Sequence, residues 1–137
     1  MSDKRTLLGA AGEQLVGSYL MQRGFMCFSP LAPSKRDLLC QIGDRIHGVQ
    51  VKANSRATKD RDRKQKRYRF RFESGKNIFY SPLFLPIFAC VGMDKQTILW
   101  YFNDGYRSHF NIVESAMTHQ AQEESFGSLL EELNYHG

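Results

Sequence analysis

Cysteine is scarce in this 137-residue chain: Cys27, Cys40 and Cys90 are the only three, and they lack paired spacing. An odd number of cysteines inside apolar, strand-like stretches argues for reduced thiols in a cytoplasmic setting and against a disulfide framework. His47, His109, His119 and His136 show no ligand spacing, which argues against a structural zinc site. No apolar run reaches membrane-spanning length; the greasiest, from Ile78 to Val91, is interrupted by Ser81, Pro82 and Pro86. The opening MSDKRTLLGAAGEQ lacks the long apolar stretch of a secretory signal. Nor is there a Ser-His or Cys-His arrangement suited to covalent catalysis.

What is present is ordinary for a globular protein, with 42% hydrophobic and 24% charged residues. The length predicts one domain, residues 1–137, able to bury a single core. The net charge of +5 is unevenly held. Nine Lys or Arg stand against two Asp between Arg56 and Arg71, an excess of seven positive charges, so the remainder carries −2. A basic arm at about 55–72 on a near-neutral body is the footprint of a polyanion binder.

The chain is organised around Asp37–Lys52, DLLCQIGDRIHGVQVK. Two apolar runs flank Gly43-Asp44, a two-residue hairpin signal in which Gly supplies positive φ. With Gly43 and Asp44 as the central turn residues, Ile42 faces Arg45, and Asp37 falls opposite Gln50. Side chains alternate along a strand, so Gln50 and Lys52 share one face while Val49 and Val51 take the other. A carboxylate, an amide and an ammonium then converge, an arrangement suited to a small oxygen-liganded cation beside a lysine.

Other elements follow from periodicity. Leu8, Ala11, Leu15, Val16 and Tyr19 predict a helix over 6–23, closed by Gly24, with Glu13 on a flank that can point towards Asp37. Phe25–Phe28 reads as a strand and Ser29–Ser34 as a stiff loop. Asn54–Lys66 reads as a loop or mobile arm. Arg67–Phe72 alternates strictly, three arginines on one face against Tyr68, Phe70 and Phe72, which are expected to fill the core. Phe84–Val91 reads as a central strand, with Pro86 arguing for an edge or bulge at its start. Thr97–Phe102 is a further strand, and Phe126, Leu129, Leu130 and Leu133 mark an amphipathic C-terminal helix.

A helical Glu, an Asp opening a strand and Gln-x-Lys on the next strand together resemble the PD-(D/E)XK nuclease superfamily, over roughly residues 6–55. GAAGEQLVGSYLMQRGF looks like the first helix of archaeal Holliday-junction resolvases. VQVKAN, with Gln in place of the acid, is more similar to the group I intron homing endonucleases. The Pro that often precedes the Asp is replaced by Arg36.

The resemblance implies a restriction-endonuclease-like α/β fold: a mixed, mostly antiparallel central sheet flanked by the N-terminal and C-terminal helices. It implies a Mg²⁺-dependent DNA endonuclease, with Mn²⁺ as substitute, and Glu13, Asp37, Gln50 and Lys52 as catalytic residues. Asp37, the Gln50 side chain, the Val51 backbone carbonyl and Glu13 through a water would hold the metal, and Lys52 would orient water or neutralise charge on phosphorus. Expected DNA contacts are Lys35, Arg36, Asn54, Arg56, Lys59, Arg61, Arg63, Lys64, Lys66, Arg67, Arg69 and Arg71. The partner is double-stranded or branched DNA, the assembly a homodimer or homotetramer, and the gene's carrier a host, a mobile intron or a phage. Homing ranks above junction resolution because VQVK carries Gln. Rival readings are a non-catalytic DNA-binding module, which Gln50 supports, and a protein-interaction domain with a fortuitous motif.

Overall fold

The computed structural model describes residues 3–59, 64–73 and 78–137. Helix α1 spans Lys4–Gln22 and starts two residues before the predicted start at residue 6. The cause is Asp3, whose Oδ1 accepts the Thr6 N–H at 3.0 Å as an N-cap. At the other end Gly24 adopts φ +90°. The Phe25 N–H then reaches the Leu20 carbonyl at 3.0 Å and the Gly24 N–H the Met21 carbonyl at 3.0 Å, a Schellman closure.

Among the described residues eight strands follow: β1 (Met26–Phe28), β2 (Leu38–Ile42), β3 (Arg45–Asn54), β4 (Thr58–Lys59), β5 (Lys66–Arg71), β6 (Ile87–Gly92), β7 (Thr97–Phe102) and β8 (His109–Val113). Helix α2, His119–Glu132, closes the order. Five strands form the central sheet in the order β1-β2-β3-β6-β7, and β4-β5-β8 form a small second sheet. Only the β3–β6 pair of the central sheet is parallel, so the expected mixed, mostly antiparallel sheet is what the chain forms.

Both helices lie on one face of that sheet. The Tyr19 hydroxyl donates to Glu123 at 2.8 Å, and the Tyr19 and Phe126 rings meet edge to face at 5.1 Å. Val49, Val51, Ile98 and Trp100 point into this helical layer. Phe88, Cys90 and Leu99 point the other way, beneath Tyr68, Phe70 and Phe110 of the second sheet. The aromatics of the Arg67–Phe72 alternation therefore fill a core, as their spacing predicts. The second sheet itself is not predicted by periodicity; it covers the face that the two helices leave open.

Three local expectations need correction. Asn54–Lys66 is not wholly a loop, since β3 runs to Asn54 and Thr58–Lys59 pairs with Arg67 and Lys66. Its residues 60–63 lie outside the described residues. Pro86 makes neither an edge nor a bulge: it sits one residue before β6, which pairs without interruption on both sides from Ile87 to Gly92. A proline there removes no ladder donor, and its carbonyl accepts the Asn103 N–H at 2.8 Å. The third is β8, a strand absent from the expectations above.

The outer edge of β7 is occupied by α2: Gln122 Oε1 accepts the Ile98 N–H at 2.8 Å and Ser125 Oγ the Trp100 N–H at 3.0 Å. The cysteines are free thiols, with Cys27 opposite Cys40 across β1–β2, and burial pushes Cys40 up to about 12. Among the described residues no helix is long and apolar enough to cross a membrane.

Helix α1 approaches the sheet closely at Gly12, where a Cβ would stand 2.9 Å from Ala53 Cβ and 3.5 Å from Val51 Cγ1. A Cβ on Gly9 would meet nothing within 4 Å. Gly9→Ala is therefore expected to stabilise the protein by about 0.5–1 kcal/mol through helix propensity. Gly12→Val is expected to cost about 1–3 kcal/mol by overpacking. Denaturant midpoints of the two variants check the contrast.

Candidate active site

The hairpin sets the site. Gly43 turns with φ +68°, Ile42 pairs with Arg45, and the register runs outward to Leu38 opposite Val49. There β2 leaves β3, while β6 joins the opposite edge from Val49 onward. Beyond Val49 the β2-side edge of β3 has no strand beside it among the described residues. The Asp37 carboxylate takes the vacated place, its Oδ2 accepting the Val51 N–H at 2.8 Å. In an extended strand a residue's N–H and C=O point to the same side, so the Val51 carbonyl faces this open edge too.

The expected convergence is thus modified in one respect. Gln50 and Lys52 do share a face of β3, but Asp37 stands at the strand edge and binds backbone. It acts as the hinge of the group. The Asp37 charge is felt by Lys52 and Lys35 on one side and by Glu13 on the other. Glu13 arrives on α1, which packs on the Val51 face, opposite to the face that carries Gln50 and Lys52.

Burial raises the Asp37 carboxyl above its ordinary value, against the pull of the Val51 N–H, Lys52 and Lys35. Burial also raises Glu13, and the like charge of Asp37 adds to the effect. Gln50 is 5% exposed, and its Oε1 is buried without a hydrogen-bond partner among the described residues. Leaving a buried acceptor unsatisfied costs about 1–3 kcal/mol. Among the described residues no three His, Cys, Asp or Glu cluster as metal ligands, so a cation here would rely on amide and backbone oxygens as well as carboxylates.

The basic residues are dispersed by comparison. Lys35, Arg56, Lys59, Lys64 and Lys66 are exposed, whereas Arg61 and Arg63 lie outside the described residues. Asn54 is committed to the fold, donating to the Arg69 carbonyl at 3.0 Å. Arg69 reaches Thr58 Oγ1 at 3.4 Å, and Arg71 lies 3.7 Å from Glu73 and 3.0 Å from His109. Arg67 is half-buried, with its Nε enclosed. Arg36 crosses β3 on the Gln50 face: its methylenes fill the space a Cβ on Gly48 would need, and its guanidinium lies 4.4 Å from the centre of the Phe84 ring. No motif in the sequence singles out Gly48 or Phe84 for this, although a glycine inside a strand is itself a sign of close approach.

The raised Glu13 carboxyl has a measurable sign. A folded-state pKa above the unfolded one makes stability fall as pH rises through the folded value. At neutral pH the charged Glu13 therefore destabilises the protein. Glu13→Gln should be more stable than the parent at about pH 7, by no more than about 1 kcal/mol given solvent screening. The difference should vanish at about pH 4, where both carboxyls take up protons. Urea midpoints at the two pH values test this, and a less stable variant at neutral pH contradicts it.

No family model matches the chain, and comparison with curated proteins found no match. Among solved structures, the chain is similar to one described as the structure of a bacterial homing endonuclease, I-Ssp6803I. The TM-score is 0.63 at 17% sequence identity, covering 93% of this chain and 86% of that one. The likeness at that identity is one of architecture: an α/β chain whose mixed sheet and flanking helices follow those of a homing endonuclease of known structure.

Proposed function

We propose that the protein is a divalent-metal-dependent DNA endonuclease, of the site-specific homing type, that hydrolyses phosphodiester bonds. One observation carries the reading: Gln50 Oε1 is buried and without a hydrogen-bond partner among the described residues, on the residue next to Val51, whose N–H the Asp37 carboxylate accepts. An orphaned acceptor is costly in a folded protein, and a cation bound beside it removes the cost.

The residues fit Mg²⁺ or Mn²⁺. Asp37 offers an anionic oxygen, Gln50 Oε1 an uncommitted neutral one, and the Val51 carbonyl faces the same open edge. Glu13, which feels the charge of Asp37, would reach the ion through a water. A hard cation that keeps several waters needs no more carboxylates than these. When bound, such an ion supplies Lewis-acid polarisation of a phosphoryl oxygen and a more acidic water.

The chain's own groups do the remaining work. Asp37 is held in one orientation by the Val51 N–H, so the site is set before substrate arrives. Lys52, exposed on the Gln50 face, holds an ammonium against the charge that develops on phosphorus. Exposed cations of the arm and Lys35, with the half-buried Arg36 beside it, meet the phosphate backbone and supply affinity with little sequence preference. The fold neighbour's description as a homing endonuclease supports this class over junction resolution. Two copies related by a two-fold axis would present one site to each DNA strand.

A non-catalytic DNA-binding module on the same fold is the second reading. It is favoured by the neutral Gln50 and by the lack of a three-ligand acidic cluster among the described residues.

Calorimetric titration with Mn²⁺ and nicking of plasmid, linear and four-way-branched DNA separate the two. Asp37→Ala should abolish Mn²⁺ binding and nicking together. Lys52→Ala should lower nicking by about 10²–10³-fold, the scale of one missing transition-state donor, with DNA affinity nearly unchanged. Mn²⁺ binding indifferent to Asp37→Ala, or nicking indifferent to Lys52→Ala, removes these residues from the mechanism. Replacing Lys59, Lys64 and Lys66 by Gln should flatten the salt dependence of binding, by about 0.9 for each phosphate that is no longer neutralised. A parental slope in that variant would place the arm away from DNA.

A further inference from the structure

Two exposed apolar tips stand beside the candidate site and have no role in the proposed cleavage. The turn before β6 presents Leu83 at 96% exposure with Phe84 next to it, and the turn after β7 presents Tyr106 at 88%. The turns touch, since a Cβ on Gly105 (φ +87°) would lie 3.4 Å from Pro82 Cγ.

Neither tip is loose. Asn103 is 2% exposed and ties the turns together: its Nδ2 donates to the Tyr80 and Leu85 carbonyls, both at 2.9 Å, and its Oδ1 accepts the Gly105 N–H at 2.9 Å. Asp104 Oδ1 accepts the Tyr106 N–H at 2.8 Å. The Ser81 carbonyl accepts the N–H groups of Phe84 and Leu85 at 3.1 and 2.9 Å. A buried polar network thus fixes an exposed leucine and an exposed tyrosine on two adjoining turns, one rigid apolar patch rather than two scattered residues.

The ridge is coupled to the site by Arg36. Its guanidinium covers Phe84, its methylenes run over Gly48, and Gly48, Gln50 and Lys52 follow one another on a single face of β3. The residue after Arg36 is Asp37. On the far side Arg107 follows Tyr106, its guanidinium 4.3 Å from the Phe110 ring centre.

We propose that Leu83 and Tyr106 form a rigid wedge that inserts between base steps of bound duplex DNA next to the candidate site; this rests on the DNA-binding function proposed for the site. An apolar tip with Arg36 against Phe84 and Arg107 next to Tyr106 complements stacked bases between phosphates. A second protein surface is a poorer match, because charged groups are depleted from the cores of protein interfaces. Wedges of this kind unstack a step and bend the duplex, at a cost that the wider protein–DNA interface offsets. Steps that unstack easily, such as TA, should be preferred.

The test uses the full chain and a duplex with 2-aminopurine in a run of TA steps, with Ca²⁺ in place of Mg²⁺ to hold cleavage. Binding by the parent should raise 2-aminopurine fluorescence several-fold. The double variant Leu83→Ala/Tyr106→Ala should bind with the same salt slope but lose most of that rise, and its thermal melt should match the parent's because both side chains are solvent-exposed. If the double variant melts early, Leu83→Ser alone replaces it with the same expected loss. A bound parent with no rise, or a variant with an undiminished one, overturns the wedge and leaves the nuclease reading standing. A parent that self-associates by light scattering and becomes monomeric in the double variant also overturns it, in favour of a second copy. A parent that binds no DNA at any salt concentration overturns both.

Discussion

The interaction on which the site depends is the bond from the Val51 N–H to the Asp37 carboxylate. It exists because β3 is longer than either neighbour and changes partner at Val49. Where β2 has ended, one edge of β3 keeps its polar groups, and a side chain closes over them. A carboxylate used this way caps a strand and is held in place for other work by the same bond. Its neighbours then acquire their character from position: Glu13 becomes harder to ionise across the edge, and Lys52 sits where its charge offsets that of Asp37.

Much of this is legible in the sequence because it depends on a tight turn. Gly43-Asp44 admits one hairpin register, and a register fixes every facing pair along both strands. The register out to Leu38 opposite Val49 follows from counting, which carried one step further puts Asp37 opposite Gln50. What counting cannot give is the end of β2, since that depends on the Pro30–Arg36 segment pulling the chain away, and hence the turn of Asp37 towards backbone. The second sheet is harder to read. His109–Val113 alternates as a strand should, with Phe110 and Ile112 inward, but five residues after a Gly-containing turn carry a weak signal. Its partner β5 is marked by the Arg-aromatic alternation, and nothing local specifies which strand lies beside it. Pro86 misleads because a one-residue offset separates a strand breaker from a strand entrance.

The two faces of β3 divide the labour of the molecule. Val49 and Val51 anchor the helices, with Gly12 allowing α1 to come close enough to bring Glu13 along. Gly48, Gln50 and Lys52 look the other way. Gly48 accommodates Arg36, Gln50 keeps a buried oxygen uncommitted, and Lys52 reaches solvent. Alternation along one strand thus separates what stabilises the protein from what is available for chemistry, and substitutions at odd and even positions should differ in kind.

The treatment of β7 has a consequence for how copies of the protein can associate. Sheet edges ordinarily invite extension by a foreign strand, through a row of idle amide groups. Here Gln122 and Ser125 of α2 occupy that row, and the opposite border is β1, three residues long. Continuous strand-to-strand growth is blocked at the longer border and given little template at the shorter. At the central sheet, association of copies is therefore left to side chains rather than to strand pairing, which leaves the relative orientation of subunits there free to follow the geometry of what they bind.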